Sequence, residues 1–189
     1  MSVATKDAKV AVSSQPRRTR TQARVAVVQQ SGTQEFTLQT HQNHDQMRRH
    51  LIHKMQQQGG SSALGQTLEF ALNQVLLKAS LPRKRRALLM VVGTQTAHED
   101  QEKLRYISQK AKCEGVALFV VTVGDRYNRK EVEELASFPI QQHLIHAGSL
   151  KAEEQGYAQR FFRVFLTALN SKTSPSRFKE ILRLPTHRC

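Results

Sequence analysis

Eight histidines, His41, His44, His50, His53, His98, His143, His146 and His187, are the residues most suited to metal or acid–base chemistry in this chain. His50 and His53 stand three apart on a predicted helix, and are the pair expected to share a helical face. No His-Glu-x-x-His occurs, and the histidines read best as surface residues. Gly-x-Ser-x-Gly, Gly-x-Gly-x-x-Gly and the P-loop pattern are all missing, so an enzyme is not expected. One stretch has the form of a ligand loop. In "RALLMVVGTQTAHED" an apolar run ends at Gly93, just before a helix start. An open α/β sheet carries its ligands at the carboxyl ends of such strands, where a carboxylate would be the working group, yet this tip holds a glycine. Asp125, ending "VTVGD", occupies a similar place and is expected to structure its loop.

Charge offers a second kind of chemistry. The net charge is +14, which favours acidic partners: nucleic acid, anionic lipid or sulfated glycan. Arg17, Arg18, Arg20 and Arg24 form one group, Arg83, Lys84, Arg85 and Arg86 another, and Lys172, Arg177, Lys179, Arg183 and Arg188 a third. Such clusters attract polyanions without choosing among them. "LPRKRRA" reads first as a solvated loop, since no aromatic interleaving accompanies it, and nucleic acid is disfavoured. The two cysteines make no disulfide framework and no metal spacing. Cys113 is expected to pack at a helix end, and Cys189 to be a free tail. No apolar run approaches the roughly 18–20 residues of a membrane span. The N-terminus lacks the apolar core of a secretory signal, so the chain expressed as it stands is expected to remain intracellular.

The elements around these residues follow from periodicity. Residues 1–22 read as a basic, mostly disordered arm, with a short β piece at Val10–Val12. "ARVAVVQQ" and "QEFTLQT" flank a Ser-Gly turn and form an antiparallel hairpin. Met47, Leu51, Ile52 and Met55 mark a helix. Gly59 and Gly60 permit a turn, Ser62 caps the next helix, and Leu64, Leu68, Ala71, Leu72, Val75 and Leu76 line its stripe. After the strand Ala87–Val92, Thr96 and Glu99 form a capping box for a helix burying Leu104, Ile107 and Ala111. "GVALFVVTVGD" is a second buried strand, "RKEVEELASF" a short helix and "QHLIHA" a short strand. Ala158, Phe161, Phe162, Phe165, Ala168 and Leu169 line the last long helix. Ser174 and Pro175 open a short basic tail helix. Continuous apolar strands alternating with helices give an α/β sheet covered on both faces.

"ARVAVVQQSGTQEFTLQT", "GGSSALGQTLEFALNQVL", "RALLMVV", "GVALFVVTVGD", "EELASFP" and "HLIHA" run in one order over residues 23–170. That order resembles the von Willebrand factor A domain, and its style is similar to the C-terminal A domains of collagen VI alpha-4, alpha-5 and alpha-6 type chains. The resemblance implies a Rossmann-like, doubly wound, mostly parallel α/β sheet. It also implies a secreted, non-enzymatic module for cell adhesion and protein binding, with matrix proteins or other collagen chains as partners and a sulfated glycan as a further candidate. The family's divalent-cation motif takes an Asp-x-Ser-x-Ser loop after the first strand, a threonine, and a further aspartate. Asp7 is followed by "AKVAVSS", without that spacing. The threonine position falls on Ser62 and the second aspartate on Gly93, so a degenerate site and no cofactor are expected.

The family's first central strand is followed by a crossover helix, and a parallel crossover needs about a dozen residues or more. Both first strand and helix look missing here. The expected organisation is an arm (1–22), a partial A domain (23–170) and a basic tail (171–189). An open seam beside "ARVAVVQQ" and "RALLMVV" would make the chain aggregation-prone, unless Lys9–Ser13 completes the sheet. The rival readings are an intracellular polyanion binder using the basic loop and tails, and the non-functional product of a truncated gene.

Overall fold

A computed structural model describes residues 9–14, 24–29, 34–38, 43–55, 62–79, 85–149 and 155–169. In chain order the elements are β1 (Lys9–Ser14), β2 (Arg24–Gln29), β3 (Gln34–Phe36) and α1 (His44–His53). Then come α2 (Leu64–Phe70), continued by a π-helical turn (Ala71–Leu76), β4 (Arg86–Thr94), α3 (His98–Cys113) and β5 (Val116–Arg126). The chain goes on through α4 (Arg129–Leu135), α5 (Ile140–His143), β6 (Leu144–His146), a 3-10 turn (Ala147–Ser149) and α6 (Gln155–Leu169).

The six strands are ordered β3-β2-β1-β4-β5-β6. β4 pairs in parallel with β5, and β5 with β6. β1 pairs antiparallel with both β2 and β4, and β2 antiparallel with β3. Hence β2, β4, β5 and β6 share one direction, while β1 and β3 oppose it.

The central strand is therefore present, which corrects the expected gap: Lys9–Ser14, inside the supposed arm, fills it in reverse. Ala11 pairs with Val27 on one side and Leu89 on the other. Residues 15–23 are too few for a crossover helix with its turns, but they suffice for an antiparallel return. The seam that would have made the chain aggregate is closed.

Alternation along each strand sorts the core into two layers. Ala26, Val28, Leu88, Met90, Val92, Leu118 and Val120 face Leu64, Leu68, Leu72, Leu104 and Ile107 of α2 and α3. Ala87, Ala117, Phe119 and Ile145 face Phe161 and Ala168 of α6 on the other side. Leu104, Ile107 and Ala111 are buried as their spacing predicts. The apolar face expected for α1 is not covered: none of its residues is buried, and Leu51 and Ile52 are 42% and 60% exposed. Cys113, expected to pack, is exposed at the end of α3 and disulfide-bonded. Among the described residues no helix is long and apolar enough to cross a membrane. The expected tail helix lies outside the described residues.

A proline cannot donate to a ladder and is excluded from sheet centres. Ala11→Pro is therefore expected to lower the melting temperature by at least about 5 °C, on a scale of roughly 2–4 °C per kcal/mol for a chain of this size. A thermal melt by circular dichroism checks this, and an unchanged midpoint would contradict the central placement of β1.

Candidate functional site

The carboxyl edge of β4, β5 and β6 is where an open sheet of this kind presents ligands. Four segments meet there: the start of α2, the β4–α3 loop, the β5–α4 loop and the end of β6. The loops are tied by backbone bonds. Ala97 N–H donates to Ser62 O at 2.8 Å, and Gln95 N–H to Arg126 O at 3.0 Å. This places Ser62 beside the loop that follows Gly93. Gly93 itself is buried, offers no side-chain oxygen, and ends the apolar run as expected.

β1 reverses the remaining part of the family pattern. Its Lys9 end lies beside Val91, near this edge, and Ser13 lies beside Ala87 at the opposite edge. The loop after β1 thus leaves from the wrong end of the sheet to meet Ser62 and Gly93. Asp7 lies outside the described residues. Among the described residues no group of three His, Cys, Asp or Glu is placed to hold a metal.

The acids that do lie at this edge serve the backbone. Ser62 does not cap α2. The N-cap position falls on Ala63, which makes no side-chain cap bond. Asp100 of α3 does the work from across the helix pair: Gly65 N–H donates to its Oδ2 at 2.5 Å and Gln66 N–H to its Oδ1 at 3.2 Å. Two of the orphan donors of a helix start are satisfied in this way. Burial raises the Asp100 carboxyl above its ordinary value, against the lowering effect of the two amides and of Lys103. The expected capping box also fails. Ala97 is the N-cap of α3 without a side-chain bond, and Thr96 N–H donates instead to Glu131 Oε1 of α4 at 3.2 Å. Burial raises Glu131 as well, and the charge of Asp100 adds to the rise.

Gly65 explains how the two helices approach so closely. A Cβ there would stand 2.7 Å from Leu104 N and 2.9 Å from both Asp100 O and Oδ1. Gly124, with φ 74°, and Gly148 make a second close passage: a Cβ on Gly148 would lie 3.2 Å from Gly124 O. Asp125, next to this passage, is exposed at the end of β5.

Two histidines depart from the surface reading. His146 is half-buried, and its Nδ1 is hydrogen-bonded to Thr122 Oγ1 at 2.9 Å and Tyr127 OH at 2.8 Å. The Tyr127 ring stacks on it. His143 is fully buried, with Phe119 at 4.5 Å between ring centroids. Its Nδ1 lies 3.0 Å from Pro139 O, and its Nε2 has no partner. Burial holds its pKa below the ordinary imidazole value; the Pro139 carbonyl raises it, and the charge of Lys112 lowers it further. Lys112, itself pushed down to about 8 by burial, donates to Glu134 O at 2.6 Å. His44, His53 and His98 are exposed, and His50 is half-buried. His41 and His187 lie outside the described residues.

Of the basic candidates, Arg86 is half-buried, and its Nη2 donates to Glu114 O at the turn into β5. Arg85 is described beside it, whereas Arg17, Arg18, Arg20, Arg83 and Lys84 lie outside the described residues. Nothing in their sequence separates a structural arginine from a solvated one. Asp100 was equally hidden, because its partners stand 35 and 34 residues away.

The strand order, the two helical layers and a ligand edge between loops define an open-sheet α/β domain of the doubly wound class. The von Willebrand factor type A domain pattern matches residues 5–159, and the chain belongs to that family. It is 47% identical over 115 residues to the collagen alpha-4(VI) chain of Mus musculus, covering 59% of this chain and 5% of the collagen. It is 36% identical over 135 residues to the mouse collagen alpha-6(VI) chain, covering 71% and 6%. The chain thus spans about a twentieth of the collagens it matches. Proximal thread matrix protein 1 from the mussel byssus shares the fold, with a TM-score of 0.57 and 18% identity over 74% of this chain and 33% of that one. A second structure of the mussel protein, with a zinc-occupied MIDAS motif, gives a TM-score of 0.56 at 16% identity over 70% and 32%.

Gly65→Ala is expected to cost about 1–3 kcal/mol by overpacking against backbone, read as a lower urea midpoint. His143 gives the pH dependence. Its folded pKa lies below the unfolded value, so the unfolded chain binds the proton first. The associated stability is complete above the ordinary imidazole value of 6.5 and is lost as pH falls from there towards the folded pKa. Between pH 7.5 and about 5.5 the wild type should lose more stability than His143→Leu, which removes this titration while Asp100 and Glu131 titrate in both proteins. Equal losses in urea titrations would contradict the assignment.

Proposed function

We propose that the chain is a non-enzymatic protein-interaction module of the extracellular matrix, whose contacts with matrix proteins or other collagen chains do not depend on a divalent cation. One observation carries this reading: Gly93 stands at the tip of β4 where a metal carboxylate would be needed, while the reversed β1 sends its following loop to the opposite edge. Magnesium demands near-octahedral oxygen ligands and takes carboxylates first, and the residues present do not fit that requirement. Asp100, buried, and Glu131, half-buried, already accept backbone amides nearby.

The relatives support the matrix setting, since they are collagen VI chains and, at 27% identity over 145 residues, matrilin-1 of Mus musculus. The disulfide at Cys113 supports it independently, because disulfides persist chiefly in oxidising compartments. The intracellular polyanion reading gains no comparable observation. Arg86, one of its candidates, is engaged at Glu114.

Isothermal calorimetry with magnesium and manganese is expected to show no single-site binding. Capture of the domain by immobilised collagen VI should be equal in EDTA and in millimolar magnesium. A micromolar cation isotherm, or capture abolished by EDTA, would overturn the cation-independent reading.

A further inference from the structure

α3 and α4 both pack on β5 and touch each other, and a cleft of about 100 Å³ opens between them. The buried side chains of Leu104 and Leu135 line its depth. Arg105, Lys130, Glu131 and Glu134, all less buried, line its rim. Glu131 and Glu134 stand three apart on α4 and so share one helical face, with Leu135 beside them.

The carboxylates of α4 are not equally matched. Glu134 has two cations: Arg105 Nε stands 3.4 Å from its Oε2 and Lys130 Nζ 4.0 Å from its Oε1. Glu133 is paired with Arg129 at 3.1 Å. Glu131 has no ion pair among the described residues; its Oε1 accepts Thr96 N–H. It is half-buried, and the charges of Asp100 and Glu134 add to the rise that burial imposes on its pKa. The Thr96 hydroxyl favours the charged form of Glu131, which places it beside that carboxylate. Yet Thr96 is 3% exposed, and its Oγ1 makes no hydrogen bond of good geometry.

A carboxylate crowded by like charges, with a spare buried acceptor next to it and an apolar floor in front, calls for a cation on an apolar stem. A bare divalent ion is poorly matched, because Glu131 Oε1 and both Asp100 oxygens already hold amides. Arginine is the side chain that fits. Its guanidinium is more weakly hydrated than an ammonium and presents a fork of donors to neighbouring acceptors. Its methylene stem lies well on leucine side chains. The surroundings allow a cation to approach: residues 98–135 carry eight Asp and Glu against seven Lys and Arg, whereas the whole chain has 15 against 29.

We propose that the α3–α4 cleft receives an arginine side chain of a partner polypeptide, its guanidinium against Glu131 and its stem on Leu104 and Leu135. The polypeptide nature of the partner rests on the interaction-module reading above. The cleft itself is tested without collagen and without EDTA, so its failure is distinct from the failure of that reading.

The probe is n-propylguanidinium on the full chain, with neutral propylurea, of the same shape, as its control. The methyl resonances of Leu104 and Leu135 should shift saturably with a dissociation constant of about 1–10 mM, and propylurea should leave them in place. Glu131→Gln keeps an acceptor for Thr96 N–H but removes the charge, and should weaken the probe at least about fivefold. Glu134→Gln should weaken it independently. A blocked Gly-Arg-Gly peptide should compete with the probe, and the norleucine analogue should not. Absence of a saturable shift, equal shifts with propylurea, or a dissociation constant indifferent to both variants overturns the site. A peptide that fails to compete overturns the assignment of its occupant.

Discussion

The fold depends on six residues. Among the described residues, β1 is the strand that hydrogen-bonds to both β2 and β4. Without it, the β3–β2 hairpin and the β4–β5–β6 parallel unit are separate sheets with unpaired edges. Each buried amide left without a partner costs on the order of 1–3 kcal/mol, against a typical total of about 5–15 kcal/mol, so two such edges would exceed what the remaining core can offset. An antiparallel strand satisfies the same backbone groups as a parallel one. What changes is the connection: the chain returns without a helix, and the loops at the strand ends exchange edges.

That exchange separates scaffold from ligand chemistry. The helices of the main layer are held by packing that does not involve β1's direction, and by the Asp100 carboxylate spanning α2 and α3. Asp100 and Gly65 act as one device. The missing Cβ lets the α2 start approach α3, and the approach brings Gly65 N–H within 2.5 Å of the carboxylate. Glu131 repeats the pattern between α4 and the β4–α3 loop. Asp100 is buried and Glu131 half-buried, and both are raised in pKa. The carboxyl edge of the sheet is thus organised by acids that accept backbone amides.

Much of this was legible because burial leaves a periodic trace. β4 and β5 read as continuous apolar runs since both faces are covered, and Leu104, Ile107 and Ala111 announced the inner face of α3. Gly93 was legible as the end of the apolar run of β4. The direction of β1 was not. "KVAVSS" carries the same alternation read either way, and only the shortness of residues 15–23 distinguishes the two. That shortness excludes a parallel crossover, which suggested a missing strand, but it equally selects a reversed one. Caps were misread at Ser62 and Thr96 because a local pattern competes with acceptors delivered from distant elements. His143 looked like a surface histidine for the same reason: its burial is set by Phe119, far away in sequence.

Reversal of the first strand has one further consequence for the molecule. In a doubly wound sheet the crossover helix is both a connection and a cover. Here the connection is residues 15–23, too few for a crossover helix with its turns. Val27 is nonetheless buried within the single chain. A crosslink stabilises mainly by restricting the unfolded chain. The disulfide at Cys113 sits on the outer surface of α3, away from both core layers. It adds nothing to core packing, and its physical effect on the domain is the restriction of the unfolded chain.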